Sequence, residues 1–159
     1  MTYTQTHILL SEAWADTLTP DASNSIANYL PANGWTCETS KLLTFEGRFS
    51  GWNPAATTAE WALVPQIGIA QTTSYQRSRP GWRDVTPAEL GITAIGASIV
   101  NTETPRIVIA TEATTTFIYQ IRVPVDGIGR FRFRNLITYT GTKPGVKTSL
   151  TLIEKGETL

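Results

Sequence analysis

From residue 41 onward, apolar and polar residues alternate with a period of two, and almost nowhere do they recur at helical spacing. Leu43, Phe45, Gly47 and Phe49 share one face of a strand predicted over Leu42–Phe49. A second strand is predicted from Trp61 to Ile69, where Pro65 lacks an N–H and requires an edge or a bulge. The polar stretch from Ala70 to Glu89 reads as a long loop. Pro80-Gly81 marks a turn in it, and Thr86-Pro87-Ala88-Glu89 reads as one helical turn, opened by a cap with proline in first position. Strands follow at Ala97–Asn101 and Arg106–Thr111. In Thr115–Val125, Phe117, Tyr119, Ile121 and Val123 alternate with Thr116, Ile118, Gln120 and Arg122. Asp126-Gly127 then supplies a turn, and Phe131, Phe133, Ile137 and Tyr139 continue the apolar face on the expected return strand of a hairpin. A last strand spans Val146 to Glu154. About seven strands with almost no helix predict an all-β fold, an antiparallel β-sandwich of jelly-roll type, with a closed barrel as the lesser choice.

Residues 1–40 read differently. Their one helical candidate is Asp21–Leu30, capped by Asp21 or Ser23 and stopped by Pro31 and Asn33-Gly34. They carry Glu12, Asp16, Asp21 and Glu38 but no lysine or arginine. The expected organisation is an extended N-terminal arm with one short helix over 1–40, followed by a β-sandwich domain over 41–159.

Composition supports the fold class. The 159 residues include 26 Thr, 14 Ile and 7 Val, stiff side chains that suit a pleated surface better than a helix. Charged residues are only 16% of the chain and the formal net charge is zero. That balance argues against a nucleic-acid-coating role. Cys37 is the sole cysteine, which excludes an internal disulfide; it reads as a small buried or half-buried hydrophobe. The N-terminus has no basic stretch, and Ile8-Leu9-Leu10 is too short for a signal segment. No apolar run approaches the ~20 residues that a membrane helix needs. The expected product is soluble and made in a reducing cytosol.

A search for chemistry finds little. His7 is the only histidine and reads as a solvated arm residue. One histidine and one cysteine cannot build a structural zinc site, and no acidic cluster has calcium-loop spacing. Gly127-Ile128-Gly129 is followed by no helix, so it is a turn rather than a dinucleotide fingerprint. Glu46, Glu60, Glu103 and Glu112 are the candidates for a carboxylate pair that hydrolyses glycosides, but the sequence places no two of them together. The reading is therefore non-enzymatic, with no catalytic, cofactor-binding or metal residues assigned.

Three features stand out as interface chemistry. Trp14, Trp35, Trp52, Trp61 and Trp82 are many for one small domain; Trp61 and Trp52 border strands, whereas Trp35 and Trp82 sit in turn sequence as loop plugs or contact residues. Arg130, Arg132 and Arg134 alternate with Phe131 and Phe133, so they leave one face of their strand, and Arg122 is expected to join them across the hairpin. Arg77, Arg79, Trp82 and Arg83 add basic and aromatic residues in the long loop. The third feature is the acidic arm, whose Glu12 and Asp16 are expected to face the arginine stripe of a neighbouring subunit.

A threonine-rich, weakly charged, cysteine-poor β-chain with an N-terminal arm and no catalytic constellation resembles the small virion structural proteins of tailed bacteriophages. The nearest type is the capsid decoration or cement protein, with tail and baseplate accessory proteins next. The resemblance implies a virion protein, made in the host cytoplasm, that forms a homo-oligomer (a trimer is favoured) and binds a major capsid protein or another virion protein. Neither membrane nor nucleic acid belongs to that picture. Two rivals remain: a carbohydrate- or receptor-binding module using Trp35, Trp52 or Trp82, and a small hydrolase built on Glu46 or Glu60.

Overall fold

The period-two pattern resolves into two facing sheets in the computed structural model, which describes residues 1–10, 29–69 and 81–158. In chain order the elements are β1 (Thr2–Leu10), β2 (Tyr29–Thr36), β3 (Ser40–Trp52), β4 (Thr58–Ile69), β5 (Gly81–Asp84), α1 (Pro87–Leu90), β6 (Thr93–Ile95), β7 (Ser98–Val100), β8 (Arg106–Thr111), β9 (Phe117–Pro124), β10 (Arg130–Thr140) and β11 (Val146–Glu157). One sheet has the order β1-β11-β3-β9-β6 and the other β2-β10-β4-β8-β7, with β5 pairing with β4. Each connection from β1 to β4, and again from β8 to β11, crosses from one sheet to the other. Four strands thus face four, all antiparallel, in the double Greek-key order of a jelly roll. β5, α1, β6 and β7 form an insertion between β4 and β8, and α1 carries the expected cap: Thr86 and Glu89 form a reciprocal capping box with Pro87 in the first turn.

The core is a layer of rings between the sheets. Phe45 packs edge-on to Phe133 at 4.8 Å, and Trp61 edge-on to Tyr119 at 5.8 Å. Leu43, Phe45, Phe49, Ile121, Leu150 and Leu152 from one sheet meet Trp61, Leu63, Ile107, Phe131 and Phe133 from the other, all fully buried. Gly47 interrupts the inward face of β3 directly opposite Tyr119. A Cβ there would overlap the Tyr119 ring, which crosses the gap so that its hydroxyl meets Thr148 Oγ1 at 2.9 Å.

Three expectations change. β9 and β10 are not a hairpin: β9 pairs with β3 and β6, β10 with β2 and β4. Their alternation is real, but it turns both apolar faces toward a common core from opposite sheets, and Asp126-Gly127 is the crossover. The described parts of 1–40 are sandwich strands rather than an arm, since β1 pairs along β11 from Thr2 to Leu10 and β2 pairs with β10. β1 is largely exposed and buries only Leu10 fully, so it lacks the alternation that a packed face imposes. The helix expected over Asp21–Leu30 lies outside the described residues except Tyr29 and Leu30, which begin β2. Pro65 sits in a central strand, not at an edge, yet at a gap in its pairing. The β8 ladder ends at Leu63 and the β5 ladder begins at Gln66. Across that gap Val85 N–H donates to the Pro65 carbonyl at 3.0 Å, so no partner requires the missing proline donor.

The close approach of Tyr119 to Gly47 sets a first test. Gly47→Ala should lower the unfolding free energy in urea by about 1–3 kcal/mol, the overpacking range. In a Tyr119→Ala background the same substitution should cost clearly less, because the two changes share one contact.

Candidate interface: an arginine–aromatic stack on one sheet face

β10 turns Phe131 and Phe133 into the core and sends Arg130, Arg132 and Arg134 to the outer face of their sheet. Register then decides their neighbours. Arg132 lies opposite Gln66 on β4, which lies opposite Asp84 on β5. Arg132 Nε donates to Gln66 Oε1 at 2.7 Å, Gln66 Nε2 donates to Asp84 Oδ1 at 2.6 Å, and Arg134 Nη2 reaches Asp84 Oδ2 at 3.2 Å. The Arg132 guanidinium carbon stands 3.5 Å from the Tyr29 ring centroid and 4.1 Å from that of Trp82, while Arg130 lies 5.8 Å from Trp82. Trp82 reaches β2 because Gly34, at φ +74°, has no side chain; a Cβ there would overlap the indole.

The stack ties β2, β10, β4 and β5 together; Asp84 meets Arg134 directly and Arg132 through Gln66. Burial above all pushes the Arg132 pKa down, and Arg130 adds to this, while Tyr29 and Asp84 oppose it. A guanidinium has ample margin to stay charged. The result is a cationic patch on a half-exposed sheet face.

Arg130, Arg132 and Arg134 share one face, as their alternation implied; that Trp82 stacks on them was not foreseen, since it read as a separate loop plug or contact residue. Arg83 leaves β5 by the opposite side and pairs with Glu89 of α1 at 3.5 Å. Arg122 does not join the stripe. It belongs to β9, opposite Thr44 and Thr93, on the outer face of the other sheet, and outward residues of two facing sheets point apart. Arg77, Arg79, Glu12, Asp16 and Trp14 lie outside the described residues. Tyr29, Gln66, Asp84 and Gly34 are contributors that sequence reading missed.

The described tryptophans are engaged within the chain. Trp61 is core, Trp52 donates to the Thr111 carbonyl at 2.8 Å, and Trp35 donates to Glu154 at 2.9 Å beside the His7 ring. His7 is thus a half-buried partner of Trp35 on a sheet strand, not a solvated arm residue. Glu46 and Glu60 leave opposite outer faces of the sandwich, which separates them as a catalytic pair. Glu60 pairs with Arg106 through two contacts, 2.6 and 3.4 Å, and Glu46 accepts from Gln120 at 2.6 Å. Among the described residues no group of three His, Cys, Asp or Glu could hold a metal ion. No helix among them is long and apolar enough to cross a membrane.

No protein-family model, curated protein or solved structure matches the chain.

Cys37 is buried, as its sequence context suggested. Burial, helped by the Glu154 charge and opposed by Arg130, pushes its thiol from 9.0 up to about 12.

Three tests follow from these contacts. In a double-mutant cycle, Arg132→Ala and Trp82→Ala should couple by about 0.5–2 kcal/mol, the cation–π range, and Arg132→Lys should not restore the loss. Cys37 should resist an aromatic disulfide reagent at pH 8 until the chain is unfolded. Between the unfolded and folded thiol pKa values the native chain keeps a proton that the unfolded chain has released. Stability should therefore fall as pH rises through that window, by up to about 1.4 kcal/mol per pH unit relative to Cys37→Ala.

Proposed function

We propose that this chain is a non-enzymatic virion structural protein, a capsid decoration or cement subunit that binds its own copies and a shell protein. The arginine–aromatic stack carries the reading. Its arginines are held by stacking and hydrogen bonds before any partner arrives, so little side-chain entropy remains to be lost on binding. Arg and Trp on a half-exposed face are the residue types that dominate protein interfaces, and the excess of arginine over Asp84 suits an acidic partner surface. The jelly roll agrees with a shell role by analogy only, since the same fold hosts other functions. Engaged tryptophan rings weigh against the carbohydrate- or receptor-binding alternative. A tail or baseplate location would use the same face.

The test is assembly. At micromolar concentration the protein should sediment as a homo-oligomer, a trimer being favoured, and high salt should weaken it. Replacing Arg130 and Arg134 by Glu should weaken assembly or shell binding more than tenfold at a temperature where the variant is still folded. A strictly monomeric protein across a range of salt that binds no shell, or assembly indifferent to the reversal, would exclude the reading.

A further inference from the structure

β1 is one edge of its sheet and β2 one edge of the other, and a cleft lies where β1 begins and β2 ends. The opening is a cleft of about 480 Å³ whose walls include Tyr3, Gln5, Trp35, Thr39, Glu154 and Thr158. Glu154 faces inward on β11, one step beyond Leu152 in the alternation, and is only 6% exposed. Its neighbours across the ladders are Gln5 on β1 and Leu43 on β3. Trp35 Nε1 donates to its Oε2 at 2.9 Å, and the Ser40 hydroxyl donates to the same oxygen. Among the described residues Oε1 accepts no hydrogen bond, and no lysine, arginine or terminal ammonium stands within ion-pairing distance of the carboxylate.

A buried carboxylate is costly unless it is paired. An indole N–H and a hydroxyl satisfy one oxygen without compensating the charge. The second oxygen is left beside a cleft lined by Trp35 and Tyr3, with Gln5, Thr39 and Thr158 as neutral hydrogen-bonding groups and the Met1 ammonium turned to the Thr158 carbonyl at 3.2 Å. Aromatic rings beside one carboxylate are surroundings suited to an organic cation. We infer that this edge cleft binds one cationic headgroup, an alkylammonium or a guanidinium, with Glu154 as its counter-ion. The proposal uses none of the stack's side chains, although Thr36 at the cleft lies opposite Arg130, and it stands whether or not the assembly reading holds.

The experiment titrates the full-length chain with butylammonium, butylguanidinium and the neutral butylurea, following the Trp35 indole N–H resonance by NMR, assigned with Trp35→Phe. The two cations should shift that resonance saturably and butylurea should not. Glu154→Gln keeps an acceptor for Trp35 and Ser40 and should weaken cation binding by at least about tenfold. Gln5→Lys, which places an ammonium across the ladder from Glu154, should block added cations and raise the thermal midpoint. Tighter binding of a short arginine or lysine peptide than of the bare headgroup would identify a protein side chain as the source; equal or weaker binding would identify a free amine. A response to butylurea equal to that of the cations, no saturable shift with either cation, or unchanged cation binding in both variants overturns the inference.

Discussion

Everything in this molecule depends on one contact: two sheets pressed together through a single layer of aromatic rings. Phe45, Phe49, Trp61, Tyr119, Phe131 and Phe133 are fully buried, each gaining on the order of 1.5–3 kcal/mol relative to exposure. Because strand side chains alternate, burying every second residue fixes the direction of all the others. A one-residue slip in β10 would bury the three arginines and expose both phenylalanines, so the core that stabilises the sandwich also aims the arginine stripe.

Aim alone does not make a patch. The stripe becomes one because register brings Gln66 and Asp84 into line with Arg132, and because Tyr29 and Trp82 arrive from strands on either side. β5 is short and the pairing of β2 is irregular, yet each places an aromatic ring against the same guanidinium. Packing energy thus continues from the interior onto the outer face through stacked polar groups, and strand pairing is reinforced where the chain has least apolar surface to offer.

The legible parts of the sequence were those governed by local rules. β8 was predicted over Arg106–Thr111 and is found there, the Thr86 turn carries its capping box, and Leu43, Phe45, Gly47 and Phe49 share the buried face of β3. What local rules cannot express is which strand lies beside which. The alternation on β9 and β10 fits a hairpin and a sheet-to-sheet crossover equally well, so Arg122 was placed with the wrong face. β1 and β2 escaped because Thr-Tyr-Thr-Gln-Thr and Pro-Ala-Asn-Gly look like arm and turn sequence until a covered neighbour is supplied. For the candidate interface, the arginines were visible as a stripe on one strand. Tyr29, Gln66 and Asp84 were not, since they are distant in sequence and meet the stripe only through ladder register.

The same alternation explains where acidic chemistry can enter a sandwich of this kind. Inward positions on β11 are apolar or small through Leu150 and Leu152, and the next inward residue is Glu154. A carboxylate two residues earlier would face the ring layer, with His7 on β1 as its polar neighbour across the ladder. At Glu154 a cleft lies where β1 begins and β2 ends, Ser40 opens β3, and Trp35 can turn its N–H toward the carboxylate. The charge is therefore tolerated only at the end of the core, where the lattice of strands runs out and one oxygen can open onto a cleft. An outer face made of held cations and an edge opening made of a held anion are consequences of one constraint, the sealing of everything between them.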